Sequence, residues 1–307
     1  MSPFLFDPFK TQEGSKMHDT LFALPVTEQL SASVSLCKLD QLPVIVINHP
    51  KVKAAVTLQG AHLIDWQPAG EQPVLWLSKT SAFKEGVAIR GGIPVCWPWF
   101  GKVASPNHGF ARILPWQLSE HHEDDQQVTL TLTLRDSAET EKYWPHTFAL
   151  SVKYVLGKTC GVTLEAKGDF KNTAALHSYF NIGDITQTTL SGLGNSYLDK
   201  VNGGVTTQQH GDVAFKGEEV DRVYTHPDAV SQIHDPVHHR VIEIHHHNHS
   251  DVVAWNPGAK AAKNIGDMPD DGYQTFVCVE TARVNEPLAA TSAAPARLSA
   301  LISLNKA

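Results

Sequence analysis

A histidine and a glutamate in two apolar runs are the first candidates for proton chemistry. His177 lies in the run 174–181, AALHSYFN, and Glu280 ends the run 274–280, QTFVCVE. A protonated imidazole opposite an ionised carboxylate across a sugar-sized cleft would form a general acid/base couple, because each charge stabilises the other. Each residue also has a plainer interpretation, His177 as a hydrogen-bonded core residue and Glu280 as the salt-bridge partner of Arg283.

Two arginines in glycine-containing, aromatic segments are the candidates for binding an anion. Residues 89–101 read IRGGIPVCWPWFG and contain Arg90, and residues 107–112 read NHGFAR and contain His108 and Arg112. Adjacent glycines and two prolines exclude a regular helix or a central strand, so the first segment is predicted to be an irregular loop. Guanidinium, imidazole and indole groups together suit a ligand with an anionic end and a sugar body, and a purely architectural turn is the alternative.

Two further polar residues have both a binding and a structural interpretation. Asp221, in the sequence VDRVY, either accepts hydrogen bonds from sugar hydroxyls or pairs with its neighbour Arg222. His108 either donates a hydrogen bond to a substrate hydroxyl or caps its own loop. Both interpretations are compatible with the residue types.

The densest histidine tract, residues 245–249 with the sequence HHHNH, suggests a metal site. Three more histidines precede it, at positions 234, 238 and 239. A metal site needs ligands from more than one element, and no cysteine or carboxylate lies at a matching spacing. We therefore predict no metal and expect the tract to be a solvated edge strand or loop.

The elements that must carry these residues show the two-residue alternation of half-buried β-strands. In the segment 128–134, VTLTLTL, the apolar side chains all fall on one face, and residues 148–154 repeat the pattern. Helical spacing is found only in 20–30 and 259–265, and Pro25 weakens the first of these. The pattern predicts an all-β fold, one large antiparallel β-sandwich whose loops and strand ends carry the chemistry. The further strand candidates are residues 44–47, 54–58, 62–66, 162–166, 241–244, 252–255 and 276–279.

The organisation of the chain favours one domain over residues 17–307, because no composition shift or linker divides it. Residues 1–16 carry no periodic pattern, and we predict an N-terminal extension there, either disordered or artificial in origin. The tail from about Asn285, which contains AATSAAP, is the least structured-looking stretch after this extension.

Composition and charge exclude several classes of partner. The formal net charge of −7 disfavours nucleic acid and anionic membranes. No run approaches the roughly 20 apolar residues of a membrane span, and the N-terminus lacks the layout of a signal peptide. The 4 cysteines lie far apart without a CxxC pair, as is typical of reduced thiols. These features predict a cytoplasmic protein.

Seven ordered motifs resemble the aldose 1-epimerase (mutarotase) superfamily, and specifically its hexose-6-phosphate branch. The resemblance runs from about Met17 to about Val284, which is almost the whole chain outside the extension and the tail. The motifs, in order, are LQGAHLIDWQP, IRGGIPVCWPWFG, NHGFARILPW, LHSYFNIGD, DRVY, VVAWNPG and DMPDDGYQTFVCVE.

The resemblance implies a fold and a role for each candidate residue. The fold would be the galactose mutarotase-like β-supersandwich. The general acid would be His177 and the general base Glu280. The substrate-binding residues would be Arg90, Asn107, His108, Arg112 and Asp221. One departure from the family pattern affects position 107, where some relatives have a glutamine and this chain has the shorter asparagine.

The implied activity is the interconversion of the α and β anomers of a hexose 6-phosphate, glucose 6-phosphate above all. The partner would be a small sugar phosphate, the protein a monomer, and no cofactor would be needed because the reaction has no redox change or group transfer. Trp97, Trp99 and Phe100 could stack on the sugar, or belong in part to the core. The alternatives are mutarotation of unphosphorylated aldoses and a non-catalytic sugar-binding β-sandwich.

Overall fold

The predicted antiparallel β architecture is confirmed in the computed structural model, which describes residues 12–306, with side chains from residue 17 onward. Its strands form a five-stranded, a nine-stranded and an eight-stranded sheet. The five-stranded sheet consists of β1 (Val26–Gln29), β2 (Val34–Leu39), β3 (Leu42–His49), β4 (Val52–Thr57) and β5 (His62–Pro68). The nine-stranded sheet consists of β7 (Gln117–Glu123), β8 (Val128–Arg135), β9 (Ala149–Leu156), β10 (Cys160–Lys167), β13 (Thr189–Ser191), β16 (Val213–Ala214), β18 (Val230–Asp235), β19 (Arg240–His247) and β22 (Ala296–Lys306). The eight-stranded sheet consists of β6 (Val95–Cys96), β11 (Phe170–Leu176), β12 (Tyr179–Asn181), β14 (Ser196–Asp199), β15 (Val205–Gln208), β17 (Val220–Tyr224), β20 (Asp251–Asn256) and β21 (Phe276–Ala290).

The nine-stranded and eight-stranded sheets pack against each other around the main core. In β8 the side chains of Val128, Leu130, Leu132 and Leu134 are buried, as the alternation predicts. They belong to one apolar cluster with Val277 and Val279 of β21. Because successive residues of a strand point to opposite faces, the intervening residues of β21, including Glu280, lie on the outer face of the eight-stranded sheet. A candidate site is therefore expected on that face.

The helices differ from the predicted ones in their bounds. Helix α1 spans Gln12–Phe22, so the predicted domain boundary at residue 17 falls inside it, while residues 1–11 lie outside the described residues. The helix predicted for 20–30 is wrong beyond Phe22, because Pro25 interrupts it and β1 follows. Helix α2 spans Gly258–Ala262. Among the described residues, no helix is long and apolar enough to cross a membrane.

The expectation of a poorly structured tail is wrong. Strand β21 continues to Ala290, and β22 lies inside the nine-stranded sheet between β10 and β19. The alternation in β22 buries Leu298 and Ile302 completely. The Ala- and Ser-rich residues between the two strands form only a short turn, which explains why composition alone was misleading.

The histidine tract lies on an inner strand and the partly exposed turn that follows it, so the expected edge strand is wrong and the expected solvated loop holds for residues 248 and 249. His246 lies on β19, between β18 and β22, and is 3% exposed. Its ring nitrogens contact the Thr281 hydroxyl at 2.7 Å and the Ser231 hydroxyl at 3.0 Å. Burial, followed by the charges of the neighbouring histidines, lowers the pKa of His246 to about 3. Among residues 12–306, no group of three or more His, Cys, Asp or Glu side chains is placed to hold a metal ion.

A buried ion pair joins the hairpin of β18 and β19 to the eight-stranded sheet. The Arg240 guanidinium donates through Nε to the Asp235 carboxylate at 3.3 Å and through Nη2 to the Asn181 carbonyl at 2.6 Å. His238 contacts the same carboxylate at 2.8 Å. Burial raises the pKa of Asp235, but the hydrogen bond from His238 and the charges of His238 and Arg240 outweigh it, so the pKa is lowered overall.

We predict that Asp235→Asn lowers the free energy of unfolding by about 3 kcal/mol at pH 7, because it leaves the Arg240 charge buried without its counter-ion. The matched control is Glu165→Gln, whose ion pair with Arg297 at 2.6 Å is largely exposed and should matter little. Urea unfolding measures both variants. Because the pKa of Asp235 is depressed in the folded state, the wild-type advantage should disappear as the pH falls through that pKa, and an advantage that persists there would contradict this account.

Candidate active site

The strand predicted over residues 174–181 is interrupted only at His177 and Ser178, and its alternation of faces is kept. Strand β11 ends at Leu176, His177 and Ser178 interrupt the pairing, and β12 resumes at Tyr179. Both β11 and β12 pair with β21, on which Glu280 lies. The register on β21 is the same on both sides of the gap, with Leu176 opposite Thr281 and Tyr179 opposite Cys278, so His177 lies opposite Glu280. The His177 N–H donates to the carbonyl of Pro94 at 3.0 Å, in register with the pairing of β11 and β6, and this bond ties the histidine to the glycine-containing loop of residues 89–101.

His177 and Glu280 are in direct contact. Nδ1 of His177 lies 3.4 Å from Oε1 of Glu280, and the two side chains are 9% and 1% exposed. Arg283, the alternative partner of Glu280, lies instead 3.8 Å from Glu286. The structure thus brings the two predicted residues together, although no sugar-sized gap separates the two contacting atoms.

Burial reverses the protonation states that the sequence led us to expect. Burial, followed by the charges of His108, Arg112 and Arg90, holds the pKa of His177 well below its usual 6.5. Burial and the charge of Asp221 hold the pKa of Glu280 well above its usual 4.5. The pair therefore favours a neutral imidazole beside a protonated carboxyl, a form with the same number of protons as an imidazolium–carboxylate pair.

Aromatic rings fix the orientation of His177. Its ring stacks on Tyr179 with 4.9 Å between centroids and 7° between planes. Trp255 of β20 contacts it edge-on at 6.0 Å, and His108 does so at 5.5 Å. These contacts leave the imidazole little freedom to rotate, which suits a group that must exchange protons at defined positions.

Of the two interpretations of the aromatics at 97–100, the core applies to Trp97 and Trp99. Trp97 is fully buried and Trp99 is 9% exposed, and both belong to the main core. Phe100 alone reaches the site, where its ring lies 5.0 Å from that of His108. The run of aromatics had no alternation that could have separated core residues from site residues.

Arg90 is held at the edge of the site by two acceptors. Its Nε donates to Asp267 Oδ1 at 3.1 Å, and its Nη1 donates to the Tyr179 hydroxyl at 3.0 Å. Gly91 and Gly92, which follow Arg90, cannot be replaced by residues with a side chain without a steric clash. Gly91 has φ 118°, and a Cβ there would overlap the Trp76 carbonyl oxygen; at Gly92, with φ 61°, it would overlap that of Leu63.

Arg112 and His108 lie on the second glycine-containing segment. Nη2 of Arg112 donates to the backbone carbonyl of Asn107 at 3.0 Å, whereas the Asn107 side chain is exposed. The Gly101 N–H donates to Nδ1 of His108 at 3.3 Å, so the ring hydrogen of neutral His108 is on Nε2. Burial, then the charges of Arg112, Arg90 and Lys102, lower the pKa of His108 to about 4. His108 is thus a neutral donor at neutral pH.

Asp221 lies on the same face as Glu280. The strand register places Asp221 of β17 beside Trp255 of β20, and Trp255 beside Cys278 of β21. Cys278 is two residues from Glu280 and therefore on the same face of β21. Burial, and then the charge of Glu219, raise the pKa of Asp221 to about 6. The neighbouring Arg222 donates instead to Gln209 at 3.1 Å, which excludes the predicted alternative pairing.

The site therefore brings together six of the seven predicted side chains, and Asn107 adjoins them through its carbonyl, which accepts from Arg112, with its side chain exposed. The sequence also missed two residues. Asp267, on the loop after α2, and Trp255, on β20, both lie in motifs that indicated the family, but neither was assigned a role in the site. The register of β20 beside β21 supplies the information that places Trp255 next to the catalytic candidates.

The chain is similar to known proteins of one family. A family model for aldose 1-epimerase matches residues 43–295. A protein of Salmonella typhimurium named "putative glucose-6-phosphate 1-epimerase" is 51% identical over 293 residues, covering 94% of this chain and 100% of that protein. A protein of the same name from Escherichia coli is 51% identical over 289 residues, covering 93% of this chain and 98% of that protein.

A solved structure from Salmonella typhimurium, described as a "putative mutarotase", shares the fold. It matches with a TM-score of 0.93 and 52% identity, covering 95% of this chain and 100% of that chain. The predicted galactose mutarotase-like β-sandwich is thereby confirmed. With the family model spanning most of the sequence, the chain belongs to the aldose 1-epimerase family.

Proposed function

We propose that the protein interconverts the α and β anomers of a hexose 6-phosphate, with glucose 6-phosphate as the substrate. The observation that carries this proposal is the buried contact between His177 and Glu280, on which the charges of two arginines converge. The names of the relatives from Salmonella and Escherichia support the choice of substrate.

The chemistry requires one acid and one base that share a single proton. The C1–O5 bond of the ring breaks as the acid protonates O5 and the base takes the proton of the C1 hydroxyl, which gives the open aldehyde. Rotation about C1–C2 and closure in the reverse direction yield the other anomer. In our proposal the pair reacts in its imidazolium–carboxylate form, in which His177 donates the proton to O5 and Glu280 accepts the proton of the C1 hydroxyl; closure reverses both transfers.

The phosphate would anchor the end of the sugar that does not react. It carries about −1.5 to −2 charges at pH 7 and accepts the bidentate hydrogen bonds that guanidinium groups offer. Arg90 and Arg112 are the proposed partners, and they provide local attraction against the net charge of −7. Since this anchor contacts the ground state and the transition state alike, it lowers KM rather than raising kcat.

Polar groups around the pair would bind the sugar hydroxyls. His108 would donate through Nε2, Asp221 would accept, and Asn107 would contribute through its exposed side chain. A non-catalytic sugar-binding protein has no need of the His177–Glu280 contact, and this contact therefore favours the enzyme. Mutarotation of free aldoses uses the same pair, and the arginines favour a phosphorylated substrate over it.

We also propose that the protein acts as a monomer in the cytoplasm. The four cysteines are buried and free, which suits a reducing compartment. Size-exclusion chromatography with light scattering tests the oligomeric state.

Arg90→Ala and Arg112→Ala should each raise the KM for glucose 6-phosphate by roughly tenfold to a hundredfold, since each removes charge-assisted hydrogen bonds to the phosphate. The rate with free glucose should change much less. Exchange NMR of the anomers, corrected for spontaneous anomerisation, measures both substrates, and the exposed Arg135→Ala is the matched control. Equal losses with the two substrates would show that the arginines only support the fold.

Glu280→Gln should lower kcat by about a thousandfold while KM for glucose 6-phosphate stays within a few-fold, because the amide keeps the shape but cannot accept the proton. His177→Asn should behave in the same way. Glu286→Gln, at a side chain that is 72% exposed, serves as the control for losing a carboxylate. A Glu280→Gln protein with wild-type kcat would refute the proposed base.

The plot of kcat/KM against pH should show a plateau. Protonation of His177 should lower the activity on its acid side, and deprotonation of Glu280 should lower it on its alkaline side. The lowered pKa of His177 places loss of activity below pH 6.5, and the raised pKa of Glu280 places the second loss well above pH 4.5. Glu280→Asp should shift the alkaline limb only. A shift of the acid limb in Glu280→Asp would contradict the assignment. Glucose 6-sulfate, whose charge is constant over this range, serves as the control that separates both limbs from ionisation of the substrate phosphate.

A further inference from the structure

We propose that Asp267 is a positioning residue that sets the specificity for the phosphate by holding Arg90 in its binding orientation. This inference rests on the proposed function, because it concerns how the phosphate anchor is built. Asp267 lies on the loop between α2 and β21, far in sequence from Arg90.

The contact between the two side chains determines which donors of Arg90 face the substrate. A guanidinium has five N–H donors. Asp267 occupies Nε at 3.1 Å, and the Tyr179 hydroxyl occupies one hydrogen of Nη1 at 3.0 Å. The three remaining donors are all on the Nη groups, at the end of the side chain. An anion is therefore expected to bind at that end and not along the Nε edge.

The backbones of Arg90 and Asp267 are fixed to the same buried serine. The Ser78 hydroxyl donates to the Asp267 carbonyl at 2.7 Å, and the Ser78 N–H donates to the Arg90 carbonyl at 3.0 Å. Ser78 is 0% exposed. The Arg90 N–H in turn donates to the Ser81 hydroxyl at 2.9 Å. The loop that carries Asp267 is thus held in register with the loop that carries Arg90.

Such support matters because Arg90 is not enclosed. Its side chain is 26% exposed and that of Asp267 is 35% exposed, so both border solvent at the edge of the site. A free arginine side chain samples many rotamers, and ordering it on binding costs affinity. The carboxylate removes that cost in advance, at the expense of some repulsion toward the phosphate. If positioning dominates, removing the Asp267 carboxylate should weaken phosphate binding and raise KM. If repulsion dominates, removing it should strengthen binding and lower KM.

The test compares Asp267→Ala and Asp267→Asn, with Asp270→Ala on the same loop as the control. If Asp267 positions Arg90, Asp267→Ala should raise the KM for glucose 6-phosphate roughly tenfold and change kcat by less than about threefold. Asp267→Asn keeps an oxygen that accepts from Nε, so its KM should stay near that of the wild type. The KM for free glucose should not change in either variant.

A double-mutant cycle with Arg90→Ala supplies a readout that a purely structural role would not move. In the Arg90→Ala background, Asp267→Ala should have no further effect on KM. Additive effects, an unchanged KM in Asp267→Ala, or a lower KM in both Asp267 variants would each overturn the inference. Thermal unfolding of each variant verifies that it is folded. A wild-type enzyme without preference for glucose 6-phosphate over glucose would instead refute the proposed function itself.

Discussion

The cost of burying charge in the contact between His177 and Glu280 is the constraint on which the rest of the site depends. Neither side chain is more than 9% exposed, and an isolated charge on either would be expensive in that environment. Two arginines and His108 disfavour the imidazolium further, and Asp221 disfavours the carboxylate. Two neutral groups that together carry one transferable proton avoid this cost, and the shifts of both pKa values favour that form.

The fold supplies this contact through the register of β11 and β12 on β21. That register is the same before and after residues 177 and 178, so His177 lies opposite Glu280. The His177 N–H also donates to the carbonyl of Pro94, on the loop whose glycines bring Arg90 close. The proposed acid and the proposed anion anchor are therefore both held by this loop. A mutation that adds a Cβ at Gly91 or Gly92 would disturb both.

The sequence predicted elements and chemistry where side-chain type follows a rule. The alternation of Val128, Leu130 and Leu132 predicted a strand buried on one face, and β8 has that structure. Seven motifs indicated the family and most residues of the site. The failures have physical reasons as well. The sequence left Trp97 open between a sugar-binding wall and the core because composition does not distinguish a core aromatic from an exposed one, and the contact of Asp267 with Arg90 depends on a loop that no periodicity describes.

The central claim is that the pair is neutral and holds one proton at physiological pH. It is tested most directly by ¹⁵N NMR of histidine-labelled protein, with the His177 signal identified among the 17 histidines by its loss in His177→Asn. The account predicts a neutral imidazole at pH 7, with protonation only well below pH 6.5. An imidazolium at His177 that persists at pH 7 in the wild type, and is lost in Glu280→Gln, would contradict it, because the pair would then be ionic.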